Sequence, residues 1–420
     1  MKLVALTYGT EGDTRPIAAL SRALLDAGHE ITLLADGGTL GSAHDLGVPC
    51  AALAGDIRTT LQEGISSAAA GKNGLNATAE ALARIANDNA DGWMRQVLDV
   101  AAHSDGLIVG GLAAYIGFSA AEKLGIPVIG AGMIPLTPTS AFPSPFVPPR
   151  SMPRWLNRFS YRLVAEVLWR AFRKATNAAR AKVGLAPGRK IWAGHPMLYG
   201  ISPSLLPKPL DWPENTWMCG QWVHPVREWD APRPLLEFLS AGEAPIYVGF
   251  GSMVGFDERA LLDTVITAVA GRRALFYPGW SGADSLKLPR NFYVVSNTPH
   301  DWLFPRTSLV IHHGGSGTTH SAARAGVPSV VLPFAADQFF WAEQLRRQGI
   351  APASESGPKI TATSLSRAID AAQTAEMRAR ASAIGAKMST EDGLATAVEA
   401  VHALLARRTP SSPNAKSIGA

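Results

Sequence analysis

Two groups of chemistry-bearing residues stand far apart in the chain. The first is Thr10-Glu11-Gly12-Asp13, a carboxylate in a glycine-bearing stretch just after the apolar run Leu3–Thr7. The second is His312-His313-Gly314-Gly315-Ser316-Gly317-Thr318, just after the apolar run Leu309–Ile311, with Asp337-Gln338 further on. A glycine turn between a strand and a helix N-terminus makes an anion site, because free backbone N–H groups and the positive end of the helix dipole converge there. Gly315 and Gly317 let backbone approach a phosphate closely. This segment suits a diphosphate. Asp337-Gln338 can read what the diphosphate carries, since a carboxylate matches two adjacent hydroxyls and an unmatched buried polar group is costly. Asp13 has the chemistry of a general base; at the ordinary aspartate pKa of about 3.9 it is weak but ionised at neutral pH. The alternative for Asp13 is the N-cap of a helix beginning near Thr14, and for Asp337 the N-cap of a helix over Phe339–Gln348.

The elements that must position these groups alternate strand and helix. Leu3–Thr7, Ile31–Leu34, Gly106–Val109 and Pro127–Gly130 are predicted strands of a first unit. Between the first two, Ile17, Leu20, Leu24 and Leu25 recur at helical spacing and Gly28 supplies the stop. A proline-rich loop, 133–153, leads into a basic helix pattern from Trp155 to about Val183, whose apolar stripe is expected to pack on its own domain. Residues 205–232, rich in Pro and Trp, read as an interdomain linker. A second unit follows, with predicted strands Ile246–Gly249, Ala274–Tyr277, Phe292–Val295, Leu309–Ile311 and Val330–Leu332. The division expected is 1–204, linker 205–232, and 233–394. A C-terminal helix at 395–408 returns to the first domain, and the polar tail 409–420 is expected to be disordered. Ligands of such open α/β sheets bind at the carboxyl ends of the strands.

Composition excludes several classes. At 420 residues, 47% hydrophobic and 17% charged, the chain can bury two cores and is not a disordered protein. Two cysteines provide neither a disulfide framework nor a cysteine-based zinc site, and a reducing cytosol is the simplest setting. Leu124–Pro149 carries no charge, but its prolines forbid a spanning helix. The net charge of +5 is local: the segment Arg150–Lys182 sums to +8 and the rest to −3. That argues against a nucleic-acid binder and leaves peripheral membrane contact through the basic helix 154–182 as an option. The G-x-G-x-x-G fingerprint is absent after the first strand, so a dinucleotide site is not indicated.

Three blocks carry a family resemblance. Thr7-Tyr8-Gly9-Thr10-Glu11-Gly12-Asp13-Thr14-Arg15-Pro16 resembles the T-x-G-T-x-G-D-x-x-P opening of sterol and natural-product glycosyltransferases. Ile246–Met253, and Thr298–Pro305 together with His312–Thr319, resemble their donor-site blocks. The chain is thus identified as resembling family 1 nucleotide-sugar glycosyltransferases, in the sterol 3-β-glucosyltransferase and glycopeptide-aglycone branch. The resemblance implies an α/β GT-B fold, two Rossmann-like domains facing a cleft, with inverting hexose transfer from a UDP- or dTDP-sugar to a lipophilic acceptor. It implies no metal and no cofactor beyond the nucleotide-sugar co-substrate. Asp13 would be the catalytic base. Thr10, Gly12, Ser252, Thr298, His313, Gly315, Ser316, Gly317, Thr318, Asp337 and Gln338 would bind the donor. The uracil-stacking tryptophan and ribose-binding glutamate of the plant members align with Asn297 and Ser321, which leaves the nucleoside open between UDP and dTDP. Leu112, Tyr115, Met133, Ile134, Phe142 and Phe146 are candidate walls of an apolar acceptor pocket, with the proline-rich loop as its lid. A dTDP-deoxysugar or rhamnose transferase, a nucleotide-sugar epimerase and a non-catalytic sensor are the alternatives.

Overall fold

The computed structural model describes residues 1–68, 74–149, 151–189, 194–224, 229–251, 257–279, 288–353 and 355–406. Ser252 and the tail 409–420 lie outside the described residues. Seven strands form the first sheet: β1 (Lys2–Leu6), β2 (Glu30–Asp36), β3 (Cys50–Leu53), β4 (Gly106–Val109), β5 (Val128–Gly132), β6 (Met197–Tyr199) and β7 (Thr216–Met218). Their order is β3-β2-β1-β4-β5-β6-β7 and every pairing is parallel. Five strands form the second: β8 (Ile246–Gly249), β9 (Ala274–Tyr277), β10 (Phe292–Val294), β11 (Leu309–His312) and β12 (Ser329–Val331), ordered β10-β9-β8-β11-β12, also parallel. Parallel strands covered on both faces must be apolar throughout. The centres of the two sheets obey this, with β4, β8 and β11 buried at every position.

The structure differs from the sequence expectations at definable places. Strand β7 lies inside the stretch read as linker and extends the first sheet, pairing Met197–Tyr199 with Thr216–Met218. Three-residue strands such as β6 and β7 are too short to show a period. The first helix, Glu11–Asp26, begins before Gly12 and Asp13 instead of near Thr14, because Thr10 is its N-cap. The basic helix is a 3-10 turn, Arg154–Leu156, running into Asn157–Lys182. Its apolar residues are too widely spread for one face to bury. Leu168, Trp169 and Phe172 pack on the first-domain core, whereas Trp155, Phe159, Leu163 and Val167 are exposed.

Two features tie the halves together. The C-terminal helix Gly393–Ala406 places Ala397, Ala400, Val401 and Leu405 in one cluster with Leu3, Leu20 and Leu24 of the first domain. A second cluster joins Phe142, Tyr161, Tyr199 and Trp212 of the first half to Phe340, Trp341 and Met388 of the second. The carboxyl ends of β1, β4 and β5 are thereby brought opposite the carboxyl end of β11.

Candidate active site

On the first-domain side the site is built by a capping box. Thr10 N–H donates to Asp13 Oδ2 at 2.9 Å, and the Thr10 hydroxyl approaches the same oxygen at 3.4 Å. Asp13 therefore sits at the third position of the helix, satisfying a backbone donor that the helix itself leaves free. A Cβ at Gly9 would collide with the Asp13 carboxylate, so only glycine lets the strand-to-helix turn fold around it. Asp13 is half-open to the cleft, yet enough protein surrounds it for burial to penalise its charge. Burial lifts its pKa to about 6, against the opposing pull of the two Thr10 bonds. The ordinary value expected from sequence is thus corrected upward. A carboxylate near 6 is a stronger base and is still mostly ionised at pH 7. Gly12 is exposed and Thr10 half-buried beside it.

Across the cleft, strand β11 ends in two histidines that face opposite ways, as strand alternation requires. His312 is fully buried, and its Nδ1 accepts from Gly314 N–H at 3.1 Å, which shapes the turn. His313 turns toward the cleft, its ring held between two glycine backbones. A Cβ on Gly315 would lie 2.5 Å from its Nε2, and one on Gly251 3.0 Å from its Cε1. The loops after β8 and β11 are thus closed onto one imidazole. Burial lowers the His313 pKa to about 4, so the ring is neutral at pH 7. A neutral imidazole can donate one N–H to a phosphate oxygen without bringing a charge. The helix Ser316–Arg324 starts here, with Gly317 exposed and Thr318 half-buried at its N-terminus and Thr298 buried nearby in sequence. Ser316 Oγ donates to the Met133 carbonyl at 3.0 Å, a bond between the two domains. Ser321, on the same helix, accepts from Gln221 Nε2 at 3.1 Å, while Asn297 is exposed.

Asp337 and Gln338 divide their work. Gln338 Oε1 accepts from Phe334 N–H (2.8 Å) and Ala335 N–H (3.1 Å), pinning a loop in which Ala336 adopts a left-handed φ of 52°. Asp337 occupies the N-cap position of the helix Gln338–Arg347 but makes no capping bond with its side chain. Its Oδ2 instead accepts from Trp341 Nε1 at 3.0 Å. Burial raises the Asp337 pKa to about 6 against the pull of the Trp341 bond, with a small contribution from the Asp13 charge. Trp341 and His320 were not foreseen as site residues. Trp341 is fully buried with its edge toward His320, ring centroids 4.9 Å apart, and His320 Nδ1 donates to the Ser316 carbonyl at 2.8 Å. The only signal available was spacing: Asp337/Trp341 and Ser316/His320 are both i, i+4 pairs on helices.

The acceptor candidates have different surroundings. Leu112 N–H donates to the Tyr8 carbonyl at 2.8 Å, next to the Asp13 helix, and its side chain stays half-buried, as do those of Ile134 and Phe146. Tyr115 is buried, its ring centroid 5.4 Å from both Trp169 and Phe172 under the basic helix. The Met133 side chain lies beside Gly200 with Trp222, and Phe142 packs on Phe340 at 5.1 Å in the domain junction. The proline-rich loop is tied down at several points. Leu136 and Thr137 N–H donate to Tyr199 Oη, Ser140 N–H donates to Asp211, and Ser144 N–H donates to Ser160 Oγ. These bonds hold it against β6, Asp211 and the basic helix.

A family model described as erythromycin biosynthesis protein CIII-like, C-terminal domain, matches residues 263–404. The sterol 3-beta-glucosyltransferase UGT80B1 of Arabidopsis thaliana is 30% identical over 427 aligned positions, covering 98% of this chain and 69% of its own. The sterol 3-beta-glucosyltransferase of Debaryomyces hansenii is 30% identical over 94% of this chain, which spans only 26% of that longer protein. Among solved structures, the glycotransferase of kitacinnamycin aligns over 96% of this chain and 99% of its own, with a TM-score of 0.74 at 18% identity. The glycosyltransferase VinC, solved with dTDP, aligns over 97% and 100% with a TM-score of 0.66 at 18% identity. Those two share the fold. With both domains matched to the Arabidopsis enzyme over more than two thirds of its length, the chain belongs to the sterol 3-beta-glucosyltransferase family of GT-B glycosyltransferases, enzymes that transfer a sugar.

Proposed function

We propose that the protein moves a hexose, glucose from UDP-glucose in the leading reading, to the hydroxyl of a lipophilic acceptor such as a sterol or triterpenoid. Transfer proceeds with inversion and without a metal ion. Asp13 takes the hydroxyl proton as the acceptor oxygen attacks the anomeric carbon. The bond from that carbon to the phosphate oxygen breaks, and the electron pair leaves with the nucleoside diphosphate. The turn amides at Gly315 and Gly317, the Thr318 hydroxyl, the neutral His313 and the helix N-terminus stabilise the departing charge. Asp337 accepts from sugar hydroxyls, and Gln338 holds the loop that presents it. The observation that carries this reading is the closure of the loops after β8 and β11 onto His313, beside the Ser316–Met133 bond that joins the two domains. In this reading residues 1–204 hold the acceptor and 233–394 the donor. Cys50 and Cys219 are free thiols, in keeping with a reducing cytosolic setting. No helix among the described residues is long and apolar enough to cross a membrane.

The test is a donor panel of UDP-glucose, UDP-galactose, UDP-N-acetylglucosamine and dTDP-rhamnose against sterol and polyphenol acceptors, read as nucleotide release. Acceptor-dependent release from UDP-glucose with a sterol is expected. Nucleotide release only from the dTDP donor would favour a deoxysugar transferase. That second reading rests on Asn297 and on Ser321, whose hydroxyl is engaged by Gln221 in place of a ribose-binding carboxylate. Epimerised donor without acceptor would move the protein to the isomerase class.

A further inference from the structure

The basic helix carries a second apolar surface that the fold leaves uncovered. Trp155, Phe159, Leu163 and Val167 are 80%, 55%, 48% and 58% exposed. They account for four of the eight large apolar side chains exposed among the described residues. Their spacing is i, i+4, so they form a continuous ridge about 18 Å long at 1.5 Å per residue. One residue away runs a parallel charged ridge of Arg154, Arg158, Arg162, Arg170 and Lys174, all exposed. Its only acid, Glu166, is paired to Arg170 at 2.9 Å.

The opposite face of the helix is already occupied. Phe172 packs in the first-domain core and Tyr161 in the domain junction. Asn157 Nδ2 donates to the Ser140 carbonyl at 2.8 Å, and Ser160 Oγ accepts from Ser144 N–H at 2.7 Å, so the start of the helix holds the proline-rich loop in place. An exposed apolar ridge beside a basic one has the charge and shape complement of an anionic lipid surface. Such a helix lies flat with its apolar side chains in the acyl boundary and arginine heads at the phosphates.

We propose that the helix Asn157–Lys182 and the turn before it dock the enzyme on an anionic bilayer. Trp155, Phe159, Leu163 and Val167 insert, and the arginine ridge contacts lipid phosphates. This sets the loop 133–149 against the membrane and rests on the reading that the acceptor is lipophilic, since such an acceptor would reside there.

The test is flotation of the full chain with vesicles of phosphatidylcholine alone or mixed with phosphatidylglycerol, at low and high salt and with no acceptor present. The wild type is expected to float with the mixed vesicles at low salt and not with neutral ones. Trp155→Ser/Phe159→Ser/Leu163→Ser, all at exposed positions, is expected to lower partitioning by about tenfold or more. Arg154→Gln/Arg162→Gln is expected to lower it by about fivefold per arginine. Melting temperature and turnover of a dissolved acceptor should stay at wild-type values in both variants. Failure of the wild type to float with anionic vesicles, or equal flotation of the triple variant, overturns the proposal. A wild-type dimer that the triple variant renders monomeric, with no vesicle binding by either, would assign the ridge to a second copy of the chain and likewise overturn it. Flotation together with a sterol-inactive enzyme would instead remove the acceptor reading and leave the docking surface standing.

Discussion

Replacing Asp13 by Asn separates the chemistry of that position from its structural work. The amide keeps an oxygen for the Thr10 N–H at 2.9 Å, so the capping box survives. What disappears is the negative charge. The wild-type carboxyl is raised by burial to about 6 from 3.8. A group raised in this way binds its proton more tightly when folded than when unfolded. The stability it contributes is full below the unfolded pKa and is lost as pH rises through the folded one. The shift corresponds to at most about 3 kcal/mol at 1.36 kcal/mol per unit. Asp13 is partly open to the cleft, so solvent screening reduces this to about 1–2 kcal/mol. Asp13→Asn should thus be more stable than wild type at pH 7.5, by a melting-temperature gain of about 2–4 °C per kcal/mol in domains of this size. The gain should vanish near pH 4. Turnover should fall by about 10²–10⁴ with donor binding retained. Thermal melts across pH, nucleotide release and donor titration measure all three. Wild-type turnover in the variant would remove Asp13 from the mechanism. A melting difference that does not change between pH 4 and 7.5 would refute the account of its buried charge.

Wild-type kcat/KM should fall about tenfold per pH unit below 6, and about a hundredfold per unit where Asp337 must also ionise. Trp341→Phe keeps most of the buried ring but removes the N–H that Asp337 accepts. A bond to a charged acceptor is worth about 1.5–3 kcal/mol, so kcat/KM should drop about 10- to 100-fold, measured alongside the melting temperature to separate any packing loss. Gly315→Ala drives a methyl into the His313 ring and should weaken nucleotide diphosphate binding, read by calorimetric titration, without changing secondary structure by circular dichroism. Ser316→Ala breaks the bond to the Met133 carbonyl, and small-angle scattering of the unliganded enzyme should show a wider spread between the domains.

The readable parts of the chain are those whose cause is local. Leu3–Thr7 and Leu309–Ile311 announce buried parallel strands because both faces are covered, and the glycines after them announce the turns. The first helix starts earlier than its sequence pattern suggests although the signal is local: Thr10 and Asp13 have the spacing of a capping box, but Gly9 and Gly12 give the stretch the look of a loop. Strand β3, the alanine-rich Cys50–Leu53, has little β-branched content to mark it. The acceptor pocket is hard to read from sequence for a different reason. Tyr115, Met133 and Phe142 are apolar in any setting, and only tertiary packing decides whether each faces a pocket, a sheet or the other domain. The field of Asp13 at Asp337 likewise exists only once two separately coded domains close on each other.

The return of the helix Gly393–Ala406 to the first domain has a consequence for the order in which the protein can be made. Val401 and Leu405 complete a core begun by Leu3 and Leu24, so part of one face of the first sheet, beside the first helix, stays uncovered while the whole second domain is synthesised. At 5–20 residues per second that interval is about 10–40 s. The second domain can finish folding first, while the older half waits with an open apolar surface. Chaperone demand should therefore concentrate on the N-terminal half. Loss of the last helix would damage the domain synthesised first.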